Sequence, residues 1–342
     1  MAHCSNDHEF SLFLNNLTTR SLQGLPPAKE DILRLLELAP DAPEVELLRR
    51  QADSLARKLT NNQGLVWSAI GVDQCPCTMN CRFCSFGEKW GLVKAHTEWS
   101  EEDIVRTASL SVQGGASWIT LRTTEFYSTE RLAVLARKIR AEVPGDYSLA
   151  VNTGELDAAK AELLCKAGVT GVYHTLRLGE GRDTSFDPAK RLATLASIRD
   201  SPLKLYYLVE PLGIEHTNEE IADHILVAHR FHAALSGVMG RVNVPGTPFE
   251  GCKPVGEARI SQIIAICRLC GGTSIRDICV VPPSVRALQS GANVVTIEIG
   301  AIPRSDSIEY TTAWNDFGLT QAGELLRMAG YQIRIPEAAT HE

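Results

Sequence analysis

The feature that most constrains the fold is a repeated alternation of short apolar runs with longer amphipathic segments, which starts at Gly64. Such alternation predicts buried parallel strands that are joined by helices. With right-handed crossovers, eight such units can close into a TIM-type (β/α)8 barrel, although the rhythm alone does not distinguish a barrel from an open, doubly wound sheet. The apolar runs begin near Leu65, Trp118, Tyr147, Gly171, Leu203, Gly240, Ile275 and Asn293, and helical patterns cover residues 101–112, 129–142, 156–166, 188–199, 218–232, 256–269, 284–289 and 320–328.

Three segments are predicted along the 342 residues of this α/β chain. Residues 1–60 are expected to form an N-terminal helical extension, because apolar residues recur at spacings of three and four in residues 30–38 and 45–59. Residues 61–300 form the predicted barrel. Residues 301–342 are expected to close or cap the barrel, with Tyr310 and Trp314 as candidate contacts.

The charge and the apolar pattern exclude two classes of partner. The net charge of −7 argues against nucleic acid, since phosphate binding needs a basic surface. No run approaches the roughly 18 apolar residues that cross a bilayer, and the segment from Met1 to Asn15 lacks the apolar centre of a signal peptide. We therefore expect a cytoplasmic protein, whose ten cysteines are metal ligands, catalytic groups or buried apolar residues and not disulfides.

Three cysteines, Cys77, Cys81 and Cys84, form a C-x3-C-x2-C array directly after the first predicted strand. Three thiolates on one short loop can bind three irons of a 4Fe–4S cluster and leave the fourth iron open to another ligand. The position agrees with this interpretation, because barrel active sites are built from loops at the carboxyl ends of the strands. A structural zinc site is the alternative, since Cys75 offers a fourth thiolate.

The array resembles the cluster motif of the radical S-adenosylmethionine (SAM) superfamily, in which SAM binds the open iron and an aromatic such as Phe83 packs near the adenine. The resemblance extends to the biotin synthase-like branch over roughly residues 64–300. It implies a TIM-type barrel, a 4Fe–4S cluster, bound SAM, and an electron donor such as flavodoxin or ferredoxin. The segments that carry it are Val151-Asn-Thr-Gly154, residues 163–168, Tyr173-His174, Val244-Pro-Gly-Thr-Pro248, Thr273-Ser-Ile-Arg276 and Ser290-Gly-Ala-Asn293.

The resemblance also implies residues that contact SAM at the strand ends. A carboxylate is a suitable partner for the SAM ammonium group, and an arginine for its carboxylate. The alternatives are structural: a solvated loop glutamate for Glu125, a helix cap for Asn152, an interior histidine for His174 and a surface ion network for Arg177. The implied contacts are Phe83, Thr123, Thr124, Glu125, Asn152, His174, Arg177, Glu210, Val244, Pro245 and Gly246.

A second, auxiliary iron–sulfur cluster is an open alternative. By the resemblance, Arg276 matches the arginine that ligates the sulfur-donating cluster of biotin synthase, but the cysteines that complete that cluster fall near Leu121, Ala150 and Tyr206. None of these is a cysteine, so the biotin synthase reaction by that route is not expected. The spare cysteines from which an auxiliary cluster could be built are Cys75, Cys252, Cys267, Cys270 and Cys279. A substrate site is the alternative role for Arg276, Cys252, Cys267, Cys270 and Cys279.

The function implied by the resemblance is reductive cleavage of SAM to a 5′-deoxyadenosyl radical, which takes hydrogen from an unactivated C–H bond of a small molecule. Oxidation or another functionalisation of that C–H bond in cofactor or pigment (tetrapyrrole) biosynthesis is our leading interpretation. Sulfur insertion, as in a lipoyl synthase of the biotin synthase-like type, needs an auxiliary cluster. A carbon-skeleton rearrangement needs none, and a non-enzymatic zinc protein is the competing class.

Overall fold

The computed structural model of the chain describes residues 2–300 and 316–333. Most of the predicted capping segment, including Tyr310 and Trp314, lies outside these residues. Within the described ranges, no helix is long and apolar enough to cross a bilayer.

A closed parallel barrel occupies the centre of the fold, which confirms the predicted TIM-type fold class. Its first strand begins two residues before the predicted start, at Gln63, whereas the strand predicted near Gly240 ends there instead. The strands are β1 (Gln63–Gly71), β2 (Asp73–Gln74), β3 (Thr97–Glu98), β4 (Ala116–Arg122), β5 (Ser148–Asn152), β6 (Gly171–Tyr173), β7 (Lys204–Tyr206), β8 (Val209–Leu212), β9 (Leu235–Gly240), β10 (Asp277–Val281), β11 (Val294–Ile299) and β12 (Gln332–Ile333).

The barrel is closed by pairing in the order β1-β4-β5-β6, then β7 with β8 as one interrupted position, then β9-β10-β11 and back to β1. Strands β2 and β3 form a separate antiparallel pair, and β12 adds to β1. In the register, Gly71 pairs with Arg122 and Ala69 with both Thr120 and Glu298. Because side chains alternate between the two faces of a strand, these positions belong to the interior layers of the barrel.

Helices surround the barrel, and most of those between strands begin at a side-chain cap. Ser100, Ser128 and Asp157 each accept a backbone N–H of the first turn, and Thr217 forms a capping box with Glu220. The helices are α1 (Ala2–Leu22), α2 (Lys29–Leu36), α3 (Pro43–Thr60), α4 (Glu101–Gln113), α5 (Thr129–Glu142), α6 (Ala158–Lys166), α7 (Pro188–Arg199), α8 (Asn218–Arg230), α9 (Glu257–Gly271), α10 (Val285–Leu288) and α11 (Leu319–Met328).

The three helices that precede β1 pack on the helical layer. Helices α1 and α3 contact α9, and α2 contacts α8 and α9. A buried glutamine joins the two layers, since Gln262 on α9 donates to the carbonyl oxygens of Leu35 at 2.8 Å and Leu38 at 3.0 Å. The helices of residues 2–60 therefore cover apolar surface of the barrel's outer layer.

The buried apolar residues form two clusters. The larger one lies between the strands and the helices, and it includes Leu121, Cys267 and Cys270. The smaller one lies inside the barrel and is built on Trp67, Tyr206 and Cys279. Side chains of the smaller cluster can therefore reach a site inside the barrel, whereas those of the larger cluster cannot.

Candidate active site

A cavity lies at the carboxyl ends of the barrel strands, where the β1–α4 connection folds over the barrel mouth. It is lined by that connection and by side chains from the ends of β1, β4, β5, β6, β8, β9, β10 and β11. This is the end of a β/α barrel that carries active sites, because the loops that follow the strands converge there.

The cysteine loop after β1 is held in a compact conformation by its own backbone. The N–H of Cys77 donates to the oxygen of Phe86 at 2.6 Å, and the N–H of Glu88 returns to the oxygen of Cys77 at 3.1 Å. Within this closed loop, the N–H of Cys84 donates to the oxygen of Cys81 at 2.9 Å. These hydrogen bonds hold the three cysteines on one compact loop that consists mainly of turns.

The same loop is anchored to the segment that follows β6. The N–H of Arg82 donates to the oxygen of Asp183 at 2.9 Å, and the N–H of Ser185 donates to the oxygen of Met79 at 2.9 Å. The Arg82 guanidinium also approaches the carboxylate of Asp183, at 3.3 Å. Residues from two separate loops are therefore fixed together at the mouth of the cavity.

Cys77, Cys81 and Cys84 all line the cavity together with Phe83, whereas Cys75 is not part of the lining. Burial raises the pKa of the Cys81 thiol to about 12 and also raises that of Cys77. In the described ranges, no three His, Cys, Asp or Glu side chains converge as they would on one metal ion. A cubane instead binds each thiolate to a different iron, and three thiols that face one cavity from one loop suit this arrangement.

Beside the cysteines, the segment after β4 is fixed by a buried aspartate. Asp73 accepts hydrogen bonds from the N–H of Thr124 at 2.7 Å and from its hydroxyl at 2.5 Å. The hydroxyl of Thr123 donates to that of Thr153 at 2.9 Å. These contacts hold Thr123, Thr124 and Glu125 along the cavity wall, where all three belong to the lining.

A buried arginine, Arg191, joins the carboxylates around the cavity. Its guanidinium lies 3.5 Å from Glu125, 3.2 Å from Glu155 and 3.6 Å from Glu180, and only 1% of the residue is exposed. Its Nε and one terminal nitrogen have no hydrogen-bond partner among the described residues. The sequence interpretation did not include Arg191, because in a helical pattern a basic residue is expected on the solvent face.

The buried carboxylates of this network differ in their ionisation. Burial raises the pKa of Glu125 to about 7, although Arg191 acts in the opposite direction. For Glu155, burial is outweighed by His174 and Arg191, which lower its pKa to about 2. At neutral pH Glu155 is therefore ionised, whereas Glu125 is close to its midpoint of ionisation.

His174 and Asn152 are both engaged with protein groups. His174 lies 3.4 Å from Glu155 and 3.4 Å from Arg191, and burial lowers its pKa to about 4, so its ring is neutral at pH 7. Asn152 donates to the backbone oxygen of Tyr173 at 3.1 Å and does not cap α6, whose cap is Asp157. Both side chains nevertheless border the cavity.

Arg177 and Glu210 face the cavity from neighbouring strand ends. Arg177 approaches Glu180 at 3.6 Å, and one of its terminal nitrogens is buried without a hydrogen-bond partner in the described part of the chain. Glu210 accepts hydrogen bonds from the hydroxyls of Tyr173 and Thr175. The surface ion network that was the alternative for Arg177 is present, but it is formed by Arg182 with Asp183 and Glu220 and does not include Arg177.

The turn after β9 contributes one of its three predicted contacts to the lining. Val244 borders the cavity, whereas Pro245 and Gly246 do not. Gly246 has a φ of 84°, in the left-handed region, and its N–H donates to the carboxylate of Glu250 at 2.6 Å. In this structure the glycine therefore serves the turn itself.

The residues considered for an auxiliary cluster are dispersed. Arg276 comes directly before β10, at the barrel end opposite the cysteine loop, and it donates to the oxygen of Leu59 at 3.1 Å; its placement in the site was wrong. Cys267 and Cys270 lie in the outer apolar cluster, and Cys279 in the inner one. Cys252 follows β9 without reaching the cavity lining.

Aromatic side chains fill the barrel interior below the cavity. Trp67 makes edge contacts with Tyr173 and Tyr206, at centroid distances of 5.4 Å and 5.6 Å, and Trp118 makes a further one with Tyr206 at 6.3 Å. Ala150 packs in the same cluster, but Leu121 faces the outer core and its neighbour Thr120 borders the cavity instead. The residues present there do not fit a second iron–sulfur cluster.

Comparison with known proteins gives a consistent picture. No family model matches the chain. The biotin synthase of Persephonella marina is 26% identical over 281 residues, which cover 77% of this chain and 82% of that enzyme. The biotin synthase of Xanthomonas campestris pv. campestris is 24% identical over 271 residues, which cover 76% and 75%.

Two solved structures share the fold. Methylornithine synthase (PylB) superposes with a TM-score of 0.75 at 16% identity, over 93% of this chain and 97% of that one. The FeFe-hydrogenase maturase HydG from Carboxydothermus hydrogenoformans gives a TM-score of 0.72 at 14% identity, over 93% and 78%. Together with the curated relatives, these matches confirm the resemblance that the cysteine array predicted.

Proposed function

We propose that this chain, which is similar to biotin synthases in sequence, is a cytoplasmic radical SAM enzyme that oxidises or otherwise functionalises an unactivated C–H bond of a small molecule. Its cofactors are a 4Fe–4S cluster and SAM. In this proposal Cys77, Cys81 and Cys84 hold the cluster. The observation that carries it is that these three thiols face the same cavity as Glu125 and the buried arginines.

When bound, the reduced cluster and SAM supply a 5′-deoxyadenosyl radical that takes a hydrogen atom from carbon. The protein's own part is to bind and orient the reactants and to exclude water. Phe83, Phe186 and Val244 give the cavity mouth an apolar surface. Such a surface protects a reactive carbon centre, because few exchangeable hydrogens or water molecules reach it.

The methionine part of SAM carries a carboxylate and an ammonium group, and different cavity residues are proposed to bind each of them. Arg177 and Arg191 each retain a buried nitrogen without a protein partner in the described ranges, so a carboxylate can accept from them. Thr123, Thr124 and Glu125 line the same cavity and carry oxygens that can accept from an ammonium group. Binding of that cation favours the ionised form of Glu125, which burial alone disfavours.

The residues inside the barrel favour a reaction that uses a single iron–sulfur cluster. Trp67, Tyr173 and Tyr206 occupy the barrel interior. Of the spare cysteines, Cys267 and Cys270 lie in the outer apolar core and Cys279 lies in the inner one. Oxidation of a substrate in cofactor or pigment (tetrapyrrole) biosynthesis needs an external electron acceptor but no second cluster, and a rearrangement needs neither. Sulfur insertion is the second candidate, favoured by the similarity to biotin synthases alone.

A small, acidic electron-transfer protein such as flavodoxin or ferredoxin is the proposed reductant. Arg82, Lys89 and Lys94 are exposed on the segment that carries the cysteine array. On a chain of net charge −7, exposed cations beside the cysteine array can attract an acidic partner to the cluster.

The test is an anaerobic reconstitution with iron and sulfide, followed by dithionite and SAM. About four irons per chain and formation of 5′-deoxyadenosine are expected. Substitution of Cys77, Cys81 or Cys84 by serine should abolish both, whereas Cys75→Ser, the matched control outside the cavity, should retain them. Bound zinc with intact SAM would overturn the radical function, and about seven or eight irons would favour sulfur insertion.

A further inference from the structure

The part of the cavity that is lined by the barrel strands, here called the chamber, has an apolar floor. Trp67, Leu208, Met239 and Val281 border it, each from a different strand or strand end. Thr120 also borders the chamber, and its hydroxyl accepts a hydrogen bond from the Trp67 indole at 2.6 Å. The floor is therefore a surface with few free polar groups, suited to the apolar body of a ligand.

Arg122 stands at the end of β4, above this floor. It pairs in the sheet with Gly71, and it follows Thr120 by two residues on the same strand face, so it lies one layer closer to the mouth. Its side chain borders the cavity, and its Nε is buried without a hydrogen-bond partner among the described residues. In the part of the chain that the structure describes, its guanidinium forms no hydrogen bond and no ion pair.

The other arginines of the cavity all have carboxylate partners. Arg177 pairs with Glu180, and Arg191 lies among three glutamates. Arg241 forms a two-pronged contact with Glu215. Among the described residues, Arg122 is thus the arginine of this cavity whose positive charge is not paired with a carboxylate.

Two of the carboxylates that face the chamber are engaged by groups other than Arg122. Glu210 is held by Tyr173 and Thr175, and Glu125 lies nearest to Arg191. Glu298 also borders the cavity, from β11. A half-buried guanidinium with an unpaired donor is costly unless an anion occupies its donors when the site is filled.

We propose that Arg122 binds an oxyanion head group, most simply a carboxylate, on the substrate, while the apolar body of the substrate rests on the floor beside Trp67. This inference rests on the proposed radical function for the identity of the cavity, and it names the class of substrate. The planar guanidinium suits a carboxylate because it donates two parallel hydrogen bonds. The carboxylate of SAM is the other possible source of such an anion, and Arg177 and Arg191 are its assigned partners.

The test uses octanoate, octanol and octylamine as probes of one length and three charges. Their dissociation constants are measured by calorimetry on the reconstituted, SAM-loaded enzyme under anaerobic conditions. Octanoate is expected to bind at least about tenfold more tightly than octanol, the size of effect of one hydrogen bond to a charged group. Equal binding of octanoate and octanol, or no octanoate binding at millimolar concentration, would overturn the inference without any variant.

Two substitutions then locate the anion. Arg122→Gln should remove the preference for octanoate, and Arg122→Lys should keep part of it, with iron content as the measure of correct folding. The dissociation constant of SAM should stay unchanged in Arg122→Gln; weaker SAM binding would assign the anion to SAM and overturn the substrate assignment. A preference for octanoate without 5′-deoxyadenosine formation would contradict the radical function alone. Formation of 5′-deoxyadenosine without a preference for octanoate would contradict the assignment of Arg122 alone.

Discussion

The hydroxyl of Tyr173 donates a hydrogen bond to Oε2 of Glu210, across the wall of the cavity from β6 to β8. The second carboxylate oxygen accepts from the hydroxyl of Thr175 at 2.8 Å. Burial, reinforced by the negative charge of Glu210, raises the pKa of Tyr173 well above its usual value. The phenol therefore remains a protonated donor at neutral pH, and the pair fixes two strand ends beside the candidate site.

We expect Tyr173→Phe to lower the free energy of unfolding by about 1–3 kcal/mol, because Glu210 loses one of its two hydroxyl donors in a buried position. Chemical denaturation of the apoprotein measures this change. Tyr331→Phe is the matched control, since the buried hydroxyl of Tyr331 has no hydrogen-bond partner among the described residues. Equal effects of the two substitutions would show that the Tyr173–Glu210 contact contributes no net stability.

Substitution of the buried Arg191 should have a larger effect on stability. We expect Arg191→Gln to lower the free energy of unfolding by about 3–5 kcal/mol, because Glu125, Glu155 and Glu180 lose their shared cation. Arg199→Gln, at the exposed end of the same helix, should leave the denaturation midpoint almost unchanged. A small effect at position 191 would mean that the three carboxylates find other compensation.

The sequence predicted the barrel and the cysteine loop because both depend on local patterns. Seven of the eight strands were placed within a few residues by their apolar runs, and the spacing of Cys77, Cys81 and Cys84 indicated the loop directly. Strand β9 was placed too late, because its sequence, Leu-Ser-Gly-Val-Met-Gly, contains small residues that weaken the strand pattern.

Arg191, Arg122 and Arg276 show what local patterns could not give. Helices of a β/α barrel begin near the barrel end where the preceding strand finishes, so the first turn of α7 brings Arg191 to the cavity. The helical periodicity of the sequence does not contain this information. Arg276 was assigned to the site from a resemblance, but its place before β10 puts it at the opposite end. For Arg122, the lack of a carboxylate partner in the described ranges depends on which side chains all the other strand ends carry, and no local pattern contains that information.

The affinity for SAM should depend on pH through Glu125. Because burial raises the pKa of this carboxyl to about 7, the group is largely protonated below that pH and gives little attraction to an ammonium group. SAM binding should therefore weaken as the pH falls through about 7 and level off above it. Binding measured between pH 6 and 8 should show this slope in the wild type and lose it in Glu125→Gln; the same slope in both would place the titrating group elsewhere.

Gly154, after β5, supports the segment that carries Glu125 through close backbone contact. A Cβ atom at position 154 would lie 2.1 Å from the backbone oxygen of Glu125, so Gly154→Ala must displace the chain there. We expect weaker SAM binding by about tenfold or more, since a small shift of a positioning segment carries such a cost.

The iron content of Gly154→Ala should stay near that of the wild type, because the cysteine loop is held by its own hydrogen bonds. Gly251→Ala is the matched control, since a Cβ atom there meets nothing within 4 Å. Unchanged SAM affinity in Gly154→Ala would mean that the Thr123–Glu125 segment does not bind SAM. Loss of iron as well would instead show that this segment and the cysteine loop fold as one unit, through the contacts of Asp73 with Thr124.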